Sequence, residues 1–318
     1  MAMITEFAVQ GAQMMLVLLL APLLTGFVRK TKARLLQRRG PSLLQPYRDL
    51  LRLMRKEVVL ADNASWLFRV SPYLIFAATW VAAALIPTFA TGLTFSWTAD
   101  LIAIVALLGS ARFFLALAGM DVGTSFGGIG SSREVMIASL AEPAMLLIVF
   151  SLALVAGATQ LSTIAAFMNS PQAGLRVSLG MSLIALVIVA IAENGRIPVD
   201  NPATHLELTM VHEAMILEYS GRHLAMIEFA TFLKLLLYMS LISCVFMPWG
   251  LVAPGSPPAL YLVGALAYLG KLTLGGFLLA VFETAIAKMR VFRVPDFLGV
   301  ALMLALLGTL LLFVSRSL

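Results

Sequence analysis

The sequence predicts an all-α integral membrane protein, with about eight transmembrane helices in a single membrane domain that spans residues 1–318. Composition is the first reason, because 61% of the residues are hydrophobic and 12% are charged, whereas a soluble domain is about half apolar and about a quarter charged. The second reason is that eight apolar runs approach the ~20 residues with which a helix crosses a bilayer. The third is that these runs lack the alternation of barrel strands. They cover approximately residues 7–28, 70–91, 99–119, 135–157, 175–193, 226–248, 259–282 and 297–315.

The distribution of basic residues predicts how these helices are oriented. The first connection, residues 29–69, contains eleven of the 22 Lys and Arg residues, and cytoplasmic connections carry such an excess. We therefore expect the odd-numbered connections to face the cytoplasm and both termini to lie outside. Trp97 and Trp249 then fall at the outer interface, where tryptophan is enriched. The expected localisation is the cell inner (cytoplasmic) membrane, as a multi-pass protein.

Cysteine and histidine usage restricts the chemistry that this chain can carry by itself. Cys244 is the single cysteine, and an iron–sulfur cluster needs several thiolates. His205, His212 and His223 follow none of the spacings of zinc motifs. We expect no cofactor and no metal ion in this chain, so redox chemistry would take place in partner proteins. The net charge of +6 is explained by the cytoplasmic excess of basic residues, and no nucleic-acid partner is expected.

The first connection predicts an amphipathic helix on the membrane surface. After Gly40 and Pro41, apolar residues recur at helical spacing and charged residues occupy the other faces. The apolar positions are Leu43, Tyr47, Leu50, Leu51, Met54 and Val58. From these residues two interpretations remain open: an interfacial helix that contacts anionic lipid, or a docking platform for a cytoplasmic protein.

The third connection is rich in glycine. Glycines at 119, 123, 127, 128 and 130 predict tight backbone turns before the fourth span begins near Ser131 or Ser132. Glu134 and Glu142 follow on similar faces of that span, about two helical turns apart. Because an isolated ionised carboxylate inside a membrane is costly, we expect Glu142 to be protonated, paired or hydrated.

The stretch IAENGRIPVDNPATHLELTMVHEAMILEYSG, residues 191–221, concentrates carboxylates at a membrane edge. A simple interpretation is that Glu193 and Arg196 form an ordinary ion pair at the end of the fifth span. A stronger interpretation is a proton relay, because ionisable groups at membrane depth commonly form one. The predicted proton path contains Asp121, Glu134, Glu142, Glu193, Asp200, His205, Glu207, Glu213, Glu218, Lys234 and Lys271.

Three loops in this order resemble a known family. RRGPSLLQPYRDLLRLMRKE and GRIPVDNPATHLELTMVHEAMILEYSG resemble the first and fifth loops of the H-subunit (subunit 1) family of respiratory complex I. GMDVGTSFGGIGSSRE is similar to the third loop of the formate hydrogenlyase subunit 4 and hydrogenase-4 component C branch. The match covers essentially the whole chain.

The resemblance implies the membrane-anchor and ion-coupling subunit of an energy-converting group 4 [NiFe]-hydrogenase-type complex. Its partners would be soluble large and small hydrogenase-like subunits, an iron–sulfur subunit and antiporter-like membrane subunits, together with lipid. The resemblance implies that the partners carry the iron–sulfur clusters and a nickel–iron site. The residues implied in docking the soluble arm are Arg38, Arg39, Gly40, Pro41, Gln45, Asp49, Lys56, Glu57, Arg133, Arg196 and Tyr219.

The sequence departs from the family pattern within the acidic loop. Ala203 and His205 stand where the family usually has acids, and a longer segment adds His212 and Glu213. We hypothesise that His205 and Glu213 replace the missing acids in the transfer of protons. Two other functions remain open, namely the quinone-pocket subunit of a complex I-like NADH:quinone oxidoreductase and a stand-alone ion transporter.

Overall fold

The computed structural model describes residues 2–92, 95–174, 176–200, 210–290 and 293–317, which form a bundle of α-helices. In these residues β-structure is limited to isolated bridges. The helices are α1 (Ala2–Leu35), α2 (Gln45–Met54), α3 (Trp66–Leu85), α4 (Leu101–Asp121), α5 (Ser125–Ala156), α6 (Leu161–Met168), α7 (Val177–Glu193), α8 (His212–Ile216), α9 (Gly221–Phe246), α10 (Pro258–Ala285) and α11 (Val294–Ser317). The prediction of an all-α protein is confirmed.

The described helices account for all of the predicted spans. Seven of them, α1, α3, α4, α5, α9, α10 and α11, are long and apolar enough to cross a membrane. The fifth predicted span corresponds to α7, a shorter apolar helix of 17 residues. The chain is therefore a multi-pass membrane protein. The side on which each terminus lies stays a prediction.

Helix α9 occupies the centre of the bundle. It is the most buried of the seven long helices, and it contacts α1, α2, α3, α7 and α10. Helix α3 packs along α4, and α5 packs against α4, α7 and α11. Helices α4, α5, α7 and α9 consequently enclose an interior into which polar side chains project. Helix α10 is the least buried of the long helices.

The predicted amphipathic helix is present as α2, which lies against α1 and α9. Pro46 near its start and Leu50 are buried, while the opposite face carries charged residues. Gly26 of α1 makes this contact possible, because a Cβ there would collide with the Leu43 carbonyl. The packing thus depends on a glycine in a different element from the amphipathic pattern.

The prediction that the glycine-rich third connection forms turns up to Ser131 is wrong. Helix α5 begins at Ser125, and the Thr124 hydroxyl caps it by accepting a hydrogen bond from the Gly127 amide. Glycine is required there for close packing between elements. A Cβ on Gly127 would collide with the backbone of α4, and one on Gly130 would lie 2.9 Å from the Val211 carbonyl oxygen.

The end of the acidic loop is attached to the first connection. The Ser220 hydroxyl donates to the Val59 carbonyl at 2.9 Å and accepts from the Val59 amide at 2.8 Å. Gly221 follows with a φ of 54°, and a Cβ at this position would lie 2.5 Å from the Glu57 carbonyl oxygen. These contacts fix the chain after α2 against the start of α9.

Candidate functional site

A buried guanidinium stands at the centre of the polar interior. Arg112 lies near the middle of α4 and is 7% exposed. Its Nε is 3.2 Å from Glu134 Oε1 and its Nη1 is 3.0 Å from Glu142 Oε1, and its Nη2 contacts Glu193. One guanidinium can serve three carboxylates because it presents several N–H donors in a rigid plane and stays charged. Residues from α5 and α7 are therefore joined to α4 through one side chain.

A second cation enters the cluster from α9. Lys234 Nζ lies 2.9 Å from Glu193 Oε2, so Glu193 is placed between a guanidinium and an ammonium. Glu134 and Glu193 have side chains that are 2% and 3% exposed, whereas the Glu142 side chain is 45% exposed. Three carboxylates thus face two cationic side chains, which leaves one formal negative charge. The cluster can therefore bind one more positive charge.

His212 of α8 borders the same cluster. Its Nδ1 is 3.5 Å from Glu134 Oε2, a separation longer than a normal hydrogen bond. Burial lowers the pKa of the His212 imidazole, and the neighbouring Glu134 carboxylate opposes this effect. The side chain remains 23% exposed, in contrast to the 2% of Glu134. His212 therefore connects the cluster with the surface of the loop.

A small cavity adjoins these groups. It has a volume of about 40 Å³ and is lined by Arg112, Glu134, Glu193, Asn194, His212 and Lys234, among others. A water molecule needs about 10–15 Å³ of accessible volume and two to four polar partners, so the cavity can hold ordered water. Water there can bridge the gap between His212 and Glu134.

Three further ion pairs lie around the loop after α7. Glu283 of α10 pairs with Lys32 at 2.9 Å and with Arg196 at 3.4 Å. Asp200 pairs with Lys288 at 2.8 Å. The Asp200 carboxylate also accepts from the Val211 amide at 3.3 Å. The loop is thereby tied to α1, to α10 and to the residue that precedes His212.

The structure brings together four residues of the predicted proton path: Glu134, Glu142, Glu193 and Lys234. Asp200 lies near them in the attached loop, and Glu213 follows His212 in α8. His205 and Glu207 fall outside the described residues. The replacement of acids by His205 and Glu213 consequently stays a hypothesis.

The other described residues of the predicted proton path make their contacts outside this cluster. Asp121 accepts a hydrogen bond from the Ser65 amide at 2.8 Å, at the start of α3. Glu218 is exposed. Lys271 donates to the Met247 carbonyl and lies 5.8 Å from the centre of the Trp249 ring.

The residues expected to dock a soluble arm have different environments. Arg38, Arg39, Gly40, Pro41, Lys56 and Glu57 are exposed, whereas Gln45 and Asp49 are partly buried and bonded to each other. Arg133 donates to the Met210 carbonyl at 2.8 Å. Tyr219 is 4% exposed, stacks on Phe68 and donates to its carbonyl. Their docking role stays a prediction.

Sequence reasoning missed the two residues that organise the ion pairs, Arg112 and Glu283. Each was a charged residue near or within a predicted span, and a charge at membrane depth signals an internal partner. The interpretation that Glu193 and Arg196 form one ion pair at the end of a helix is wrong. Glu193 contacts Arg112 and Lys234, whereas Arg196 contacts Glu283.

This geometry defines a class: a multi-pass helical membrane protein with a buried cluster of acidic and basic side chains between its helices. The model of the NADH dehydrogenase family (NADHdh) matches residues 9–314, and the chain belongs to this family. The resemblance to the complex I family stated above is therefore confirmed.

Individual relatives place the chain more closely. It is 34% identical over 283 residues to formate hydrogenlyase subunit 4 of Escherichia coli (strain K12), covering 89% of this chain and 91% of that protein. It is 36% identical over 243 residues to hydrogenase-4 component C of the same organism, covering 75% of each. A subunit of the NADH-quinone oxidoreductase of Salinibacter ruber is 29% identical over 263 residues, covering 78% of this chain and 74% of that protein. The predicted resemblance to the first two proteins is confirmed.

A solved structure shares the fold. One chain of the membrane-bound sulfane sulfur reductase, an archaeal respiratory membrane complex, superposes with a TM-score of 0.79. The alignment covers 96% of this chain and 99% of that chain at 21% identity. At this identity the likeness concerns the fold alone.

Proposed function

We propose that this chain is the membrane-anchor and ion-coupling subunit of an energy-converting, formate hydrogenlyase-like complex in the cell inner membrane. The observation that carries the proposal is the buried cluster of three carboxylates around Arg112 and Lys234. A membrane anchor needs apolar contact with lipid, and buried charge in the bilayer is costly. Charged groups at such depth therefore indicate a role in ion movement. The relatives named above belong by name to formate hydrogenlyase and hydrogenase systems.

The cluster responds to charge in a way that suits coupling. Glu193 has a cation on each side, so protonating it would release Lys234 and weaken the hold of Arg112. The effect of a charge that arrives nearby is large, because interactions in a poorly hydrated interior are screened much less than in water. Electron transfer in a docked soluble arm would supply that charge. The coupling step is then a proton moving within the cluster as the arm is reduced or oxidised.

The chemistry of the cluster favours H⁺ over Na⁺ as the moving ion. Hard cations are held by several oxygen ligands, but here both oxygens of Glu193 and one oxygen each of Glu134 and Glu142 already face the Arg112 and Lys234 side chains. A metal cation entering the cavity of about 40 Å³ would meet both positive groups at close range. A proton avoids this repulsion by binding to a carboxylate or an imidazole.

The exposure of two side chains indicates where the proton would enter and leave the cluster. His212 is the cluster residue that reaches the loop surface, and a neutral imidazole can accept a proton on one nitrogen and release one from the other. Glu142 lies on the other side of Arg112, with a side chain that is 45% exposed near the middle of α5. Arg112 pairs with one oxygen of this carboxylate, and its exposed part needs a second polar neighbour at that depth. An adjoining antiporter-like membrane subunit would provide it and receive the proton.

The first connection would hold the soluble arm. Arg38, Arg39, Lys56 and Glu57 present charged side chains to solvent, and α2 between them is packed against α1 and α9. The end of this connection is bonded to Ser220, next to the start of α9, on which Lys234 lies. A partner on this surface would therefore act on the helix that supplies one cation of the cluster. The partner's iron–sulfur clusters, and a nickel–iron site if present, would carry out the redox reaction.

The experiment uses the purified complete complex in closed vesicles. Electron transfer to an artificial acceptor and acidification of the vesicle interior are recorded for the parent, Glu193→Gln and, as a matched control, Asp296→Asn, at an exposed carboxylate outside the predicted path. We expect Glu193→Gln to abolish acidification while electron transfer continues, and Asp296→Asn to preserve both. Full acidification by Glu193→Gln would overturn the proposal. Acidification that requires added Na⁺ would overturn the choice of ion alone, and inhibition by a quinone-site inhibitor would favour the complex I-like alternative.

A further inference from the structure

A long apolar groove lies between α7, α9 and α10, outside the charged cluster. Helix α9 forms its floor, and α7 and α10 form its walls, with Ala190, Leu235, Met239, Leu274 and Leu278 among the lining residues. Its volume of about 400 Å³ is within the range of pockets that hold small lipophilic ligands, about 300–1,000 Å³. A ligand there must be mainly apolar.

One end of the groove carries a cationic side chain, Lys271. It lines the groove near the end of α9, where its Nζ donates to the Met247 carbonyl at 2.5 Å. Three other lysines, Lys32, Lys234 and Lys288, each pair with a carboxylate. Across the part of the chain that the structure describes, no such ion pair involves Lys271. Since an ammonium has three N–H donors, it retains capacity for an anion.

The surroundings of Lys271 place that anion at a membrane interface. Trp249 follows α9, is 59% exposed, and lies with its ring centre 5.8 Å from the ammonium. Exposed tryptophan is typical of the level of lipid head groups. From this level the groove runs inward along apolar side chains towards Asn194 and Arg196, and Arg196 is already paired with Glu283. Its polar and apolar parts are arranged as in an anionic phospholipid, with a phosphate at one end and an acyl chain extending from it.

We propose that the groove binds one anionic phospholipid, with its phosphate at Lys271 and one acyl chain between α7, α9 and α10. Charge selects this ligand over a quinone, because a quinone carbonyl does not neutralise the ammonium. Charge also selects an anionic head group over a zwitterionic one, whose own cation would compete with Lys271. The acyl chain replaces contacts that α10, the least buried long helix, does not receive from the protein.

The bound chain also separates the charged cluster from the bilayer. Asn194 lines both the groove and the small cavity beside Glu134 and Glu193. A filled groove therefore closes the side of that cavity, and an empty groove leaves it next to exchanging lipid and water. This consequence rests on the proposed function, but the binding of the lipid does not.

The test is photolabelling of the purified complex in vesicles of phosphatidylcholine that contain a small fraction of phosphatidylglycerol with a photoreactive acyl chain. The labelled peptides are identified by mass spectrometry, and competition is measured with unlabelled phosphatidylglycerol or phosphatidylcholine. We expect label on α9 and α10 residues of the groove, and competition by phosphatidylglycerol alone. Lys271→Gln should lose this preference, whereas Lys271→Arg should keep it.

A second variant tests the groove independently of the charge. Leu274→Trp fills the groove from α10, and Leu307→Trp is its control on α11, since the two leucines are 50% and 47% exposed. Leu274→Trp should abolish labelling and Leu307→Trp should not. Equal competition by both lipids, unchanged labelling of Lys271→Gln, or a groove occupied by another subunit would overturn the proposal. Electron-driven acidification is measured separately, so a failure of the proposed function would leave the labelling result intact.

Discussion

Removing the Arg112 guanidinium should lower the free energy of unfolding. The loss should depend on which carboxylate is left without a cationic partner. In Arg112→Gln, Glu193 still faces Lys234 at 2.9 Å, whereas His212, at 3.5 Å, is the one ion-pair partner left to Glu134 among the described residues. The Arg112, Glu134 and Glu193 side chains are 6%, 2% and 3% exposed, so solvent screens these contacts little. The Glu142 contact counts for less because that side chain is 45% exposed. Removing one partner of a buried ion pair costs about 3–5 kcal/mol.

This loss of stability is large enough to be measured as a lower melting midpoint of the complex. At about 2–4 °C per kcal/mol it corresponds to a melting midpoint lower by on the order of 10 °C. The assay heats the purified complex and follows the fraction that remains intact by gel filtration with fluorescence detection. The decisive comparison is between two double variants, in which Glu134→Gln or Glu193→Gln is added to Arg112→Gln. Adding Glu134→Gln should recover stability, because it removes the unpaired charge. Adding Glu193→Gln should not, because it also leaves Lys234 without its partner. A better recovery with Glu193→Gln would refute the assignment of partners.

Three further predictions concern packing and pH. Gly26→Ala should separate α1 from the turn before α2 and cost about 1–3 kcal/mol. Gly11→Ala in the same helix places its Cβ with no atom within 4 Å, so it should cost nothing or stabilise slightly in the same heating assay. Gly221 and Gly123 both have a positive φ, which costs about 1–2 kcal/mol for an L-residue. Gly221→Ala should cost more than Gly123→Ala, because only the Cβ at position 221 also meets a backbone carbonyl, at 2.5 Å. Equal losses would mean that the close contact is unimportant. Burial lowers the pKa of His212, so the unfolded chain takes up the proton first, and stability should fall as the pH drops below about 6.5. His212→Gln should flatten this part of the pH profile, which is measured as the melting midpoint at several pH values. An unchanged profile would contradict a buried neutral imidazole.

Local patterns predicted the helices well and their partners poorly. Each apolar run became a helix because hydrophobic length is a property of consecutive residues, and the same holds for the periodicity of α2. Glu134 and Glu193, both named in the predicted proton path, do lie in one polar interior around Arg112, while the path itself stays a prediction. The central position of Arg112 was not predictable. It depends on how α4, α5 and α7 pack, and local sequence patterns do not reveal that packing.

The same limit applies to Lys271, whose place in the proton path stays a prediction, and it explains the error over the glycines. A lysine within a span was grouped with the acids, since its distance from them could not be read from sequence spacing. Glycine permits both a turn and a close helix contact, and the sequence cannot distinguish these uses. Gly123 lies in a turn, while Gly127 lies inside α5 against the backbone of α4. The short helices α6 and α8 were missed because neither is long enough to produce a distinct apolar run.

The ion pairs of the acidic loop determine how a movement of that loop would reach the cluster. Asp200 binds Lys288 on one side and the Val211 amide on the other. Because Val211 directly precedes His212, a displacement of Asp200 pulls on the backbone that positions the imidazole beside Glu134. The gap between His212 Nδ1 and Glu134 Oε2 is already longer than a hydrogen bond, so a small shift decides whether a proton can pass directly or through water. A movement of Asp200 would therefore reach the cluster through the contact between His212 and Glu134, whereas Arg112 and Lys234 lie on α4 and α9.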